Sequence, residues 1–99
     1  MLLKDKTIIV TGGSSGMGFY MAKRFVEEGA NVVITGRNLE RLEAAQKAIS
    51  HIPDRIGIFQ MDVREPDHVQ AMVNYTDGMF GRIDGLVNNA AGNFIVQTE

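Results

Sequence analysis

Four short clusters in this chain combine residue types that could hold a phosphorylated nucleotide. The first is Gly12-Gly13-Ser14-Ser15-Gly16-Met17-Gly18. Glycines let a backbone turn tightly and come close to a bulky anion. The residues that follow read as a helix, whose first turn offers unpaired N–H groups and a partial positive charge to a pyrophosphate. The spacing is G-x-x-x-G-x-G, so the G-x-G-x-x-G fingerprint is not matched, and Phe19 stands where a Walker motif needs Lys. Taken alone, the turn also fits a tight strand-to-helix connection that binds nothing.

The second cluster is Thr35-Gly36-Arg37-Asn38, roughly twenty residues past the turn, where such folds meet the adenosine ribose. An acidic residue there holds the 2′-hydroxyl of NAD, whereas Arg accommodates the 2′-phosphate of NADP. No carboxylate stands in this cluster, and a guanidinium is a planar fork suited to phosphate. The alternative for Arg37 is a solvent-facing side chain, which the macrodipole at a helix start disfavours. The third cluster centres on Asp62, placed either to accept from an adenine amino group or to cap the next helix. The fourth is Asn88-Asn89-Ala90-Ala91-Gly92. Its amides can tie neighbouring strands together or hold a ribose, and its small residues let a ligand approach the backbone.

These clusters sit where strands hand over to helices. Ile8-Ile9-Val10 and Val32-Val33-Ile34 are continuous β-branched runs, which suit strands covered on both faces. The pattern predicts strands over Thr7 to Thr11, Asn31 to Thr35, Arg55 to Met61 and Gly85 to Asn88. Helix one is expected over Met17 to Glu28, with Phe19, Ala22, Phe25 and Val26 on one face and Gly29 as its stop. Helix two is expected from Leu39 to about Ile49, capped by Asn38, with Leu42, Ala45, Ala48 and Ile49 inward and Pro53 beyond its end. Helix three runs from Pro66 to Gly81 and turns Val69, Met72, Val73, Thr76 and Phe80 inward. This alternation implies an α/β fold, a Rossmann-like doubly wound parallel sheet in the order 3-2-1-4 with three helices. Its ligand crevice lies beside strand one, where the order reverses. Such folds continue for further units, so residues 1–99 read as the N-terminal part of a single nucleotide-binding domain, with strand four as an apolar edge.

Composition agrees with a folded domain. Of 99 residues, 44% are hydrophobic and 22% charged, which is globular. A net charge of −2 leaves no nucleic-acid footprint. The absence of Cys excludes a disulfide framework and cysteine metal sites. No apolar leader and no run of membrane-spanning length is present, so a soluble, cytoplasmic protein is expected. Tyr20 and Lys23 read as ordinary helix residues, and His51 and His68 lack spaced partners for a relay or a metal. Met17, Met21, Met61, Met72 and Met79 read as packing.

The stretch TGGSSGMG, Gly36-Arg37, Asp62-Val63 and NNAAG stand in one register along the chain, and together they resemble the short-chain dehydrogenase/reductase family. The turn fits that family's T-G-x-x-x-G-x-G pattern; the family reads N-N-A-G after strand four, where this chain carries an extra Ala. The run NNAAGNF, with DVREPD at 62–67, is similar to 2,4-dienoyl-CoA reductases. Those enzymes use NADPH to reduce dienoyl-CoA esters during breakdown of unsaturated fatty acids. The resemblance implies Gly12, Ser14, Ser15, Gly16, Met17 and Gly18 around the pyrophosphate. It implies Arg37 at the 2′-phosphate, Asp62 and Val63 at the adenine, and Asn89 and Ala90 along the nicotinamide ribose, with Ala91 and Gly92 beside them. Arg64 would meet the CoA portion and Phe94 would wall the acyl pocket.

The family's catalytic Tyr and Lys lie beyond strand four, so the resemblance assigns no catalytic residue to this chain. It implies an NADP(H)-dependent oxidoreductase of acyl-CoA substrates, a homotetramer when complete, with no metal, nucleic-acid or membrane partner. Two readings compete. One is a 3-oxoacyl thioester or other carbonyl reductase, against which the extra Ala argues. The other is a nucleotide-binding fragment without catalysis. A methyltransferase would want an acidic residue where Arg37 stands.

Overall fold

A computed structural model describes residues 2–49, 55–89 and 94–97. Strand β1 (Thr7–Thr11) passes through the glycine turn into helix α1 (Gly16–Glu27). Strand β2 (Asn31–Gly36), helix α2 (Leu39–Ile49), strand β3 (Ile56–Gln60), helix α3 (Pro66–Phe80) and strands β4 (Gly85–Asn88) and β5 (Phe94–Gln97) follow. The sheet order is β3-β2-β1-β4-β5. The first four strands are parallel, in the expected 3-2-1-4 order, so the doubly wound fold is present.

Register places the functional edge. Thr11 at the end of β1 is level with Thr35 on one side and with Asn88 on the other. Gly36 is level with Gln60. The carboxyl ends of four strands therefore form one rim, and the turns that leave them converge there.

The two faces of the sheet have separate cores. On one, Val10, Ile34 and Val87 pack with Ala22 of α1 and Leu42 and Ala45 of α2. On the other, Ile9 and Val33 pack with Met61 and with Met72 of α3. Fully burying one such aliphatic side chain contributes about 1.5–3 kcal/mol, which is why β-branched runs can hold this central sheet. Helix ends follow from local chemistry. Asn38 caps α2, its Oδ1 accepting from the Arg41 N–H at 3.0 Å. Gly81 ends α3 with a left-handed φ of 76°.

Some expectations need correction. Strand β4 is not left as an edge, because β5 pairs with it antiparallel from Gly85 opposite Gln97 to Asn88 opposite Phe94. Only residues 89–93 join the two strands, and a parallel return needs a crossover of about a dozen residues or more. Met17 is 59% exposed at the start of α1, so it does not serve the core as expected, and Val69 is 38% exposed at the margin of the α3 stripe. Asp62 does not cap α3, whose N-cap is Glu65. His51, Pro53, Ala90, Ala91 and Gly92 lie outside the described residues. No helix among the described residues is long and apolar enough to cross a membrane.

Candidate functional site

The rim encloses a cleft of about 550 Å³. Gly12, Ser14 and Ser15 line it from the glycine turn, and Thr35, Gly36, Arg37, Asn38 and Arg41 from the end of β2 and the start of α2. Met61, Asp62, Val63 and Arg64 close it from the segment after β3. Three of the four sequence clusters, far apart along the chain, thus share one cavity.

The turn is built for close approach. A methyl group on Gly18 would run into the carbonyl oxygen of Gly12 and come within 2.8 Å of Asn89 Nδ2. Asn89 in turn donates to that Gly12 oxygen at 3.3 Å, pinning β4 to the turn. Gly16 has φ of 59° with nothing within 4 Å of where its Cβ would be, so it is needed for its backbone shape. Helix α1 then starts behind Ser15, whose side chain makes no capping bond, and its first turn carries no acidic residue. Its leading N–H groups are therefore not taken by side chains, an arrangement that suits an anion.

The electrostatics on the opposite wall differ from the sequence expectation. Arg64 folds back on Asp62: Nε donates to Oδ1 at 3.0 Å and Nη2 to Oδ2 at 2.7 Å. The Arg64 backbone N–H adds a further bond to Oδ1 at 3.0 Å. The side-chain fork, then that backbone bond, hold the Asp62 carboxyl well below the usual carboxylate range, and Arg37 acts in the same direction through space. The Asp62 N–H donates to His68 Nδ1 at 3.1 Å, which fastens this segment to α3. His68 is an exposed residue, as expected, whose ring accepts this backbone bond.

Gly12, Ser14, Ser15, Arg37, Asp62, Val63 and Arg64 meet at the cleft. Gly16, Gly18 and Asn89 shape the turn at its border, and Met17 stands exposed in the first turn of α1. The amides of the fourth cluster are seen tying strands: Asn88 Oδ1 lies 3.1 Å from the Thr11 hydroxyl that donates to it, and Asn89 holds Gly12. Phe94 is placed in β5 at the register position opposite Asn88. Two cleft residues had no role in the sequence reading. Thr35 is fully buried and its Oγ1 has no hydrogen-bond partner. Arg41 lines the cleft from α2; its position four residues after Arg37 was the available signal. Among the described residues no cluster of His, Cys, Asp or Glu could hold a metal ion.

Comparison with known proteins follows the same lines. The family model for short chain dehydrogenase matches residues 6–99. The chain belongs to the short chain dehydrogenase family. Members of this family are oxidoreductases that use nicotinamide cofactors and are commonly multimeric. The chain is 47% identical over 97 residues to a probable 2,4-dienoyl-CoA reductase of Bacillus subtilis, covering 98% of this chain and 38% of that protein. It is 45% identical over 95 residues to a peroxisomal 2,4-dienoyl-CoA reductase of Danio rerio, covering 95% of this chain and 32% of the relative. A crystal structure of a short chain dehydrogenase from Bacillus anthracis superposes with a TM-score of 0.87 at 56% identity, covering 97% of this chain and 39% of that one. The chain therefore spans between 32% and 39% of the length of these relatives.

Proposed function

We propose that this chain forms the cofactor-binding part of an NADP(H)-dependent oxidoreductase that reduces a 2,4-dienoyl-CoA. One observation carries the cofactor reading. Asp62 is the one carboxylate among the described lining residues, and Arg64 neutralises it, so nothing repels a ribose phosphate from Arg37. A carboxylate at the end of β2 would favour the free hydroxyl of NAD instead.

The described residues fit such a group. In this reading Gly12, Ser14, Ser15, Gly16, Met17 and Gly18 hold the pyrophosphate against the first turn of α1. Arg37 takes the 2′-phosphate, while Asp62 and Val63 border the adenine. Asn89 would border the nicotinamide ribose, a role proposed also for Ala90, Ala91 and Gly92 outside the described residues. When bound, the dinucleotide supplies the hydride. The task of this chain is to bind its charged middle and to orient its ring end along the rim beside β1 and β4. No group here is assigned a proton transfer; that role belongs to residues of the parent outside this chain.

The substrate reading is supported by the names of the relatives at 47% and 45% identity. Arg64 would meet a CoA phosphate and Phe94 would border the acyl chain. Nε and Nη2 of Arg64 stay on Asp62, so Nη1, on a side chain that is 74% exposed, is the group that would face the phosphate. The complete protein is proposed to be a cytoplasmic homotetramer.

The test is NADPH oxidation by the full-length protein with a short 2,4-dienoyl-CoA and, separately, acetoacetyl-CoA. Faster turnover of the dienoyl ester is expected. Faster turnover of the ketone would overturn the substrate reading, and equal rates with NADH would overturn the cofactor reading.

A further inference from the structure

One wall of the cleft is the segment 61–64, and bonds of different kinds hold it. The Met61 N–H donates to the Gly36 oxygen at 2.8 Å, which ties the segment to β2. The Glu65 N–H donates to the Asp62 oxygen at 3.0 Å and closes a turn. Arg64 grips the Asp62 carboxylate. None of these changes near neutral pH, since two join backbone groups and one pairs a guanidinium with a carboxylate held well below the usual range. The bond from the Asp62 N–H to His68 Nδ1 at 3.1 Å is of another kind.

Histidine changes charge between about pH 5 and 8. A ring nitrogen accepts only while it carries no proton, so the bond from Asp62 assigns the proton of the neutral ring to Nε2. Protonation places an N–H on Nδ1 as well, and two donors then face each other across 3.1 Å. The ring must turn away, and as an exposed side chain it has room to do so. Around it stand Asp62 and Arg64 on the segment after β3, Arg37 at the end of β2, and Glu65 and Asp67 at the start of α3. Glu65 and Asp67 attract a protonated ring, whereas Arg37 and the positive start of α3 repel it. Neither set changes the geometry: a protonated Nδ1 cannot accept.

We propose that His68 is a positioning residue for the adenine end of the cofactor. Its neutral ring holds the wall formed by Asp62, Val63 and Arg64, and its protonation releases that wall and weakens dinucleotide binding in acid. The proposal rests on the reading of this cleft as a dinucleotide site with Asp62 and Val63 at the adenine.

Calorimetric titration of the full-length protein with NAD+ and NADP+ at about pH 8 and about pH 5.5 tests this. Thermal melting at each pH is the control for folding. The 2′-phosphate of NADP+ titrates in the same range, so each variant is compared with wild type on the same ligand, and NAD+ lacks that group. The amide oxygen of His68→Asn accepts but does not titrate. This variant is expected to match wild type at about pH 8 and to bind about fivefold more tightly than it at about pH 5.5, the worth of one hydrogen bond. His68→Leu is expected to bind about fivefold more weakly than wild type at about pH 8 and to equal it at about pH 5.5, with both ligands alike. If the Leu variant melts early, the pH profile of His68→Asn against wild type carries the test. Identical profiles for wild type and His68→Asn, or a folded His68→Leu that binds as tightly as wild type at the higher pH, would overturn the role of His68 and leave the cofactor reading intact. A wild type that binds neither dinucleotide would defeat the reading of the cleft itself.

Discussion

Replacing Gly18 by Ala puts the geometry of the glycine turn to its sharpest test. The added methyl would overlap the Gly12 carbonyl oxygen and lie 3.1 Å from the Gly12 carbonyl carbon and 2.8 Å from Asn89 Nδ2. Two of these obstacles are backbone atoms, and the third is held by its own bond to Gly12. No side-chain rotation relieves the overlap, so the turn must move. Overpacking of that kind costs about 1–3 kcal/mol, and losing the Asn89 bond adds about 1 kcal/mol. The sum is about 2–4 kcal/mol, which lowers a urea midpoint by about 1–2 M. Gly16→Ala is the matched control. Its methyl meets nothing within 4 Å and suffers only from the positive φ of 59°, a cost of about 1–2 kcal/mol. Urea unfolding of the two variants should rank Gly18→Ala as the more damaging. The opposite ranking would refute the claim that close approach, and not backbone shape, is what Gly18 provides.

Two other measurements probe the scaffold. Leu42 is fully buried between α2 and the sheet; Leu42→Ala should cost about 2–5 kcal/mol in chemical denaturation, and a loss below about 1 kcal/mol would mean the site collapses around the cavity. Asp84 anchors the start of β1, its Oδ2 accepting from the Thr7 N–H at 2.8 Å while Arg82 grips both oxygens. The Arg82 hydrogen bonds hold the pKa of Asp84 below the ordinary carboxylate value. Its stabilising effect is therefore complete above the unfolded value of about 4 and fades as pH falls through the lower folded value. The stability gap between wild type and Asp84→Asn should be widest near neutrality and shrink in acid; a gap constant down to strongly acidic pH would contradict the ion pair.

The element plan was readable from local pattern. Continuous β-branched runs at 8–10 and 32–34 marked strands covered on both faces, and both are central in the sheet. Asn38 and Gly81 punctuated helices for reasons that act within a few residues. Strand β5 was missed because the reading looked for strand–helix alternation. A short return that only the free edge of β4 makes worthwhile carries no such signal. Met17 was misread as packing for a related reason: apolar type alone does not say which side of a helix start faces the core, and this one stands exposed.

The site divides in the same way. The composition of the glycine turn, the Arg after β2 and the Asp after β3 are properties of residue type and spacing, and the doubly wound topology brings their strand ends to one rim whatever the details. The sequence by itself therefore determined the order of elements, the face on which a ligand can bind and the groups available to it. Only the tertiary structure decided how those groups divide the work. Arg64 cancels Asp62, Asn89 locks Gly12 from 77 residues away, His68 fastens the Asp62 backbone, and Arg41 joins Arg37 at the cleft. The physical reason is range. Propensity and capping act over a few residues of chain, whereas charge neutralisation and close backbone approach depend on distances of a few ångströms between segments that only the sheet register brings together.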